Sequence, residues 1–342
     1  MEKIEEIELL IADKKFDEAK ELLNQQITDN EQDIELLKLR GLCNVNLELW
    51  QEGKSDFETV IKYRNDDASS RFYLANCYDN LDDSIPAIYQ YNEVIKIREN
   101  YMDAYKNLAI LYIKCEEADK AIEICKKAIK LVNDDYTFYY IAGTAYMALQ
   151  DFENCIEFLK KADELNHGYS QIYNNLGTAY MTIGDLDNAY EYFVKASEAD
   201  SENSITYFNI ASILQVKSKH KEACEYFKKA YEKEAVDSYL TSWALSEVKS
   251  GDFLSAIEHY KMLATKYPEK TTYKYNLATC YEAVGDYKLA CDILNQLVMT
   301  NPKATSIMQK LASIYMRCGK FLNAKNLYEK IILQGSVSHE IY

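Results

Sequence analysis

The feature that most narrows the folds open to this chain is self-similarity at a fixed step. The stretch Tyr173-Asn174-Asn175-Leu176-Gly177-Thr178-Ala179-Tyr180 has relatives at Tyr139 to Tyr146, at Tyr105 to Tyr112 and at Tyr207 to Leu214, each 34 residues apart. A second signature follows each time: a small residue, an aromatic or leucine four later, and a small or aliphatic residue three after that. Ala189-Phe193-Ala196 and Ala223-Phe227-Ala230 show it clearly. The small residue returns at Ala19, Gly53, Ala87, Ala121, Cys155, Ala189, Ala223, Ala256, Ala290 and Ala324, which makes ten copies; the interval Ala223 to Ala256 is 33 and the others are 34. A period of this length marks one supersecondary unit that folds only by sharing a core with its neighbours. The copies fall at about 1–33, 34–67, 68–101, 102–135, 136–169, 170–203, 204–236, 237–270, 271–304 and 305–335. They are expected to form a single array with a short tail at 336–342, with no room left within these residues for another domain.

The unit reads as two helices. Three prolines and ten glycines in 342 residues suit long regular helices, which tolerate both poorly. With the recurrent small residue taken as position 20, position 8 is also small: Gly41, Ala75, Ala109, Gly143, Gly177, Ala211, Ala244, Ala278 and Ala312. Antiparallel helices approach closely only where side chains are small, and large residues at 4, 7, 11 and 24 are expected to fill the space around that contact. Gly184-Asp185, Gly251-Asp252 and Gly285-Asp286 read as turns, with glycine ending the first helix and aspartate capping the second. The thirty tyrosines find a place here: Tyr105, Tyr139, Tyr173 and Tyr207 at position 4, and six more at position 11. Such a stripe is expected to be core.

Period and pattern resemble the tetratricopeptide repeat, a helix-turn-helix of 34 residues with small residues at 8 and 20, tyrosine at 11 and an aromatic at 24. The resemblance covers essentially the whole chain. It departs locally: Glu247 replaces the position-11 tyrosine, and the position-32 proline appears only as Pro268 and Pro302. Glu247 is expected to pair with Lys217 or Lys249, or to reach solvent. The resemblance implies an all-α, right-handed superhelical solenoid of about ten repeats, whose first helices line a concave groove that takes a peptide or protein partner.

At 100° per residue, positions 2, 5, 6, 9, 12 and 13 of the first helix lie opposite the core stripe. Position 6 is asparagine at Asn107, Asn175, Asn209 and Asn276. Position 9 carries a small hydroxyl at Thr144, Thr178, Ser212, Thr279 and Ser313. Position 5 is aromatic at Phe72, Tyr140, Phe208 and Tyr275. Asparagine offers a donor and an acceptor to peptide backbone, and aromatic rings add apolar contact. The expected groove is therefore Asn107, Tyr140, Thr144, Asn175, Thr178, Phe208, Asn209, Ser212, Tyr275 and Asn276. The asparagines resemble the ladder in the tetratricopeptide arm of O-GlcNAc transferases; the alternative is an asparagine merely common at an exposed helical position. A carboxylate clamp is incomplete, since Lys38 and Lys106 at position 5 are followed by Leu42 and Ile110 at position 9.

The net charge of −16 disfavours nucleic acid and anionic membrane surfaces, and it is uneven: −18 over residues 1–235 and +2 over 236–342. Nine cysteines form no CxxC pair, and Cys43, Cys77 and Cys280 share position 10, as small apolar fillers would. His167, His220, His259 and His339 occupy unrelated slots and read as loop or surface residues. No phosphate-binding or nucleophile motif is present, so no catalytic residue, metal or cofactor is expected. With no apolar run long enough to span a bilayer and an acidic start to the chain, a reducing cytoplasmic location is expected. The leading expectation is a binding scaffold. Its rivals are the substrate-recognition arm of a larger enzyme and, with less support, an RNA-binding helical repeat. Ile331, Ile332 and Leu333 are expected to leave an apolar end face suited to self-association.

Overall fold

The computed structural model describes residues 2–29 and 33–335. The expected tail at 336–342, with His339, lies outside them. The described residues form twenty α-helices and no strand. The chain divides into two compact units, residues 1–185 and 186–342. The first holds α1 (Glu2–Ala12), α2 (Phe16–Asp29), α3 (Ile34–Asn46), α4 (Trp50–Tyr63), α5 (Ala68–Asn80), α6 (Ser84–Ile97), α7 (Met102–Lys114), α8 (Ala118–Leu131), α9 (Tyr136–Ala148), α10 (Phe152–Leu165) and α11 (Ser170–Thr182). The second holds α12 (Leu186–Ala199), α13 (Ser204–Val216), α14 (His220–Lys233), α15 (Asp237–Ser250), α16 (Phe253–Lys266), α17 (Thr271–Ala283), α18 (Tyr287–Thr300), α19 (Thr305–Arg317) and α20 (Phe321–Leu333). Odd-numbered helices are the first of each repeat and even-numbered ones the second. Within each unit, helices adjacent in sequence pack on one another.

The small residues do what their size dictates. A Cβ on Gly143 would stand 2.7 Å from Leu159 Cγ, and one on Gly41 would stand 2.8 Å from Phe57 Cζ. Position 24 therefore drives into position 8 of its own hairpin, and only a missing side chain admits a ring there. The buried tyrosines of the second helices, Tyr91 and Tyr260, also occupy position 24 and are 1% exposed.

The buried stripe of the first helix differs from expectation. Positions 7 and 8 are buried as expected, as Leu108, Leu176, Ala109 and Ala211 show, and positions 3 and 10 join them, as Phe138, Ile172, Cys43, Cys77, Leu111 and Cys280 show. Tyr105 is buried, but Tyr139, Tyr173 and Tyr207 at position 4 are only half-buried. The tyrosine column lies in a seam: Tyr146 packs on Phe158 of its own second helix at 5.2 Å and carries Lys126 of the preceding one 5.4 Å from its centroid. A phenol suits this place because its ring packs while its hydroxyl stays near solvent. The cysteine reading holds at position 10, where burial pushes the Cys43 thiol up to about 11 and the Cys77 thiol up to about 12. Cys318, by contrast, is exposed.

All ten turns within hairpins place position 15 in the left-handed region. Gly184, Gly251, Gly285 and Gly319 occupy four of them; Lys14, Glu48, Asp82, Glu116, Gln150 and Ser218 occupy the others, with φ of 57–61°. Asp252 and Asp286 accept hydrogen bonds from Ser255 N and Leu289 N, so they cap the second helices as expected.

Two side chains depart from their expected surroundings. Glu247 pairs with neither Lys217 nor Lys249; it is buried, with Oε2 2.8 Å from His259 Nδ1. His259 is accordingly no surface histidine, and its ring lies 4.2 Å from that of Trp243. Position 11 faces the second helix of the same hairpin, where His259 stands at position 23, whereas Lys217 pairs with Asp187. At the end of α20, Ile331 is buried in the core while Ile332 and Leu333 are exposed, so the apolar end face lacks Ile331. Phe321 and Leu322 are exposed on the same helix.

Candidate functional site

Positions 5, 6, 9 and 12 of the first helices in the first unit line two hollows, to which Trp50 and Tyr91 of the second helices also contribute. One, of about 250 Å³, is lined by Asn76, Asp79, Asn80, Tyr91, Asn107 and Ile110, with Val45 and Trp50. The other, of about 340 Å³, is lined by Ile110, Ile113, Tyr136, Thr137, Tyr140, Ile141, Thr144 and Tyr169. Ile110 belongs to both and is 49% exposed. The two hollows therefore adjoin at Ile110, and together they are called the channel: a polar hollow between α5 and α7 and an apolar one between α7 and α9.

The amides of the channel are already engaged. Asn107 Nδ2 donates to Asn76 Oδ1 at 3.0 Å and to the Tyr91 hydroxyl at 3.4 Å, and that hydroxyl donates to Asn76 Oδ1 at 2.6 Å. Asn175 Nδ2 donates to Thr144 Oγ1 at 3.3 Å. In both cases position 6 of one repeat reaches position 9 of the repeat before. The position-9 hydroxyls donate back into their own helices: Thr144 to Tyr140 O, Thr178 to Asn174 O, Ser212 to Phe208 O and Thr279 to Tyr275 O, at 2.8–3.0 Å. Each hydroxyl donates to the carbonyl four residues back, and the Thr144 oxygen also accepts from Asn175.

Five expected residues lie in the first unit: Asn107, Tyr140, Thr144, Asn175 and Thr178. Tyr140, Thr144 and Asn175 meet. Burial pushes the Tyr140 hydroxyl up, and hydrogen bonding with Asn175 and Thr144 works against that rise. Asn107 stands in the polar hollow. The other five, Phe208, Asn209, Ser212, Tyr275 and Asn276, are half-buried on α13 and α17 of the second unit. There Phe208 stacks on Tyr239 at 4.8 Å, and Asn276 hydrogen-bonds with Tyr260 as Asn107 does with Tyr91.

Position-based reading missed the aromatic partners. Tyr169, one residue before α11, meets Tyr140 edge-on at 5.8 Å, and Phe72 lies 5.0 Å from Tyr101. Both pairs are separated by 29 residues, a spacing visible in the sequence. The position-5 lysines are no clamp: Lys38 Nζ is 2.6 Å from Asp67 and Lys106 Nζ is 3.9 Å from Asp103. Charge divides sharply between the units: residues 1–185 hold 36 acids and 20 bases, and residues 186–342 hold 19 of each. Among the described residues no group of three or more His, Cys, Asp or Glu side chains is placed to hold a metal ion. None of their helices is long and apolar enough to cross a membrane.

Comparison with known proteins places this geometry in context. None of the curated proteins matches the chain. Solved structures similar in fold include the C-terminal part of a TPR repeat-containing protein from Cytophaga hutchinsonii, at 17% identity over 70% of this chain and 98% of that one, with a TM-score of 0.60. A tetratricopeptide repeat protein from Parabacteroides merdae matches at 15% identity over 72% of this chain and 97% of its own, with a TM-score of 0.54. A MamA structure shares 30% identity over 47% of this chain and 95% of its own, with a TM-score of 0.46. One tetratricopeptide repeat model matches residues 103–135, 136–167, 170–203, 205–232 and 305–333, and a second matches 241–304. Together they span more than half of the sequence, and the chain belongs to the tetratricopeptide repeat family.

Proposed function

We propose that the chain is a protein-interaction scaffold whose residues 1–335 act as one array and whose first-helix face binds an extended peptide segment. The carrying observation is the channel from Asn76 through Ile110 to Tyr169, where an isoleucine stands half in water between a polar and an apolar hollow. Concave apolar surface with a few fixed polar groups is what a side-chain anchor needs. In this reading Asn107, Tyr140, Thr144, Asn175 and Thr178 are contact residues on the first unit, and Phe208, Asn209, Ser212, Tyr275 and Asn276 play the same part on the second. The position-9 oxygens accept from peptide N–H groups. Nine free cysteines fit a reducing, cytoplasmic setting.

Panning a random peptide library on the full chain tests the reading. Selected peptides should lose at least about tenfold in affinity with Ile110→Asp, a hot-spot effect, and weaken with Asn175→Ala/Asn209→Ala. Glu123→Gln, on the exposed face of α8, should leave them unchanged. Binders indifferent to Ile110→Asp would sink the proposal.

A second reading concerns assembly. Phe321, Leu322, Ile332 and Leu333 are exposed together on α20, in a segment (305–335) with five bases and one acid. The first hairpin, residues 2–29, has nine acids and four bases and exposes Ile4 and Leu9. The two surfaces are complementary in charge and share apolar character, which favours head-to-tail contact between copies.

A further inference from the structure

Three tyrosines line the apolar hollow. Tyr169 meets Tyr136 at 5.6 Å and 69° and Tyr140 at 5.8 Å and 80°, so its plane stands across both. Ile110, Ile113, Thr137, Ile141 and Thr144 complete the lining of the hollow of about 340 Å³, and no charged side chain lines it. Other tyrosines of this unit already hold a cation against the ring: Lys54 lies 4.7 Å from the Tyr78 centroid, Arg98 5.5 Å from Tyr101, Lys120 5.5 Å from Tyr112 and Lys126 5.4 Å from Tyr146. Among the described residues, none lies against Tyr136, Tyr140 or Tyr169. The hollow sits in the unit that carries the entire net charge of −16.

Resting on the reading of this face as a peptide surface, we infer that the Tyr136–Tyr140–Tyr169 hollow receives an alkylammonium side chain, a lysine or its N-methylated form, projecting from the bound peptide. Crossed ring faces attract a cation electrostatically without forming a hydrogen bond. N-methylation lowers the cation's desolvation cost, so the methylated form gains most from a site without carboxylates. The aliphatic stem of lysine, four methylenes long, matches the apolar wall of Ile110 and Ile113. The acidic unit raises the local concentration of such a peptide and speeds its encounter. Asp135, next to Tyr136, accepts from the Thr137 amide at 2.9 Å and does not line the hollow, so selection rests on the rings.

The test compares two short Gly/Ser peptides on the full chain by calorimetry or NMR titration. One has a central N,N,N-trimethyllysine; the other has the uncharged carbon isostere of that side chain. The charged peptide should bind about five- to tenfold more tightly, as expected for a desolvated cation–π site. Tyr169→Leu should bring the ratio close to one, while Tyr169→Phe, which keeps the ring, should preserve it. Equal binding of the two peptides, or a preference that survives Tyr169→Leu in a folded variant, overturns the inference. If neither peptide binds while library-selected peptides still require Ile110, the cation site fails and the peptide surface stands. If no peptide depends on Ile110, both fail.

Discussion

At the scale of single residues, Glu247 and His259 show how a polar pair enters a helical core. Burial raises the Glu247 pKa, and the hydrogen bond and charge of His259 offset the rise only in part. A carboxyl whose folded pKa lies above its unfolded value of 4.5 contributes stability that is complete below that value and is lost as pH climbs through the folded pKa. The unfolding free energy of the wild type should therefore fall, relative to Glu247→Gln, as pH rises from about 4 to 7. Denaturant titrations at four pH values measure this; a difference that is flat or rises would refute it. The second hairpin fills the same three slots, 7, 11 and 23, with Arg40, Asn44 and Asp56. Asp56 accepts from Arg40 Nε at 3.0 Å and from Asn44 Nδ2 at 3.0 Å. The sequence marked Glu247 as out of place but not its partner. Position 23 looks like an ordinary second-helix site, and only the packed hairpin brings it beneath position 11. The position-6 asparagines were legible as a column; the engagement of Asn107 and Asn175 with the preceding repeat was not, because it depends on the offset between neighbouring first helices.

At the scale of the hairpin, the turn geometry is constant while its chemistry varies. Ten turns adopt the left-handed conformation at position 15, and six do so without glycine. A residue with a Cβ is strained there by about 1–2 kcal/mol, and glycine recovers part of that after its larger unfolded-state entropy is counted. Glu48→Gly, Asp82→Gly and Glu116→Gly should each stabilise the chain by about 0.5–1 kcal/mol. Gly251→Ala should destabilise it by a similar amount, with both effects read from denaturation midpoints. Destabilisation by all three glycine variants would show that the turns are held by side-chain contacts instead. Turns with Gly-Asp were readable in advance because glycine and a capping aspartate each carry a local preference. At Glu48 and Glu116 the local preference points elsewhere. The conformation there is imposed by two helices locked through positions 8 and 24, as Gly41 with Phe57 illustrates. The same tertiary cause widened the buried face to positions 3 and 10: helical periodicity defines a broad apolar arc, and the neighbouring hairpin decides how far the dry part of it extends.

At the scale of the molecule, charge divides by unit, while exposed apolar side chains occur in both. If the α20 surface meets the first hairpin of another copy, mean mass in sedimentation equilibrium should grow with concentration at low ionic strength. It should return to that of one chain near about 0.5 M salt, where screening is nearly complete over a few ångströms, and Leu322→Asp/Leu333→Asp should abolish it. A single chain at every concentration in low salt would remove that reading and leave the channel untouched. The channel has a further property of its own. The Asn107 amide clasps Asn76 and the Tyr91 hydroxyl across the join between two hairpins. A guest that takes this amide for itself must first unfasten the clasp, so filling the channel gives the join more play. Linkage makes the exchange run both ways: force that spreads the two hairpins frees the amide and sharpens the grip on the guest.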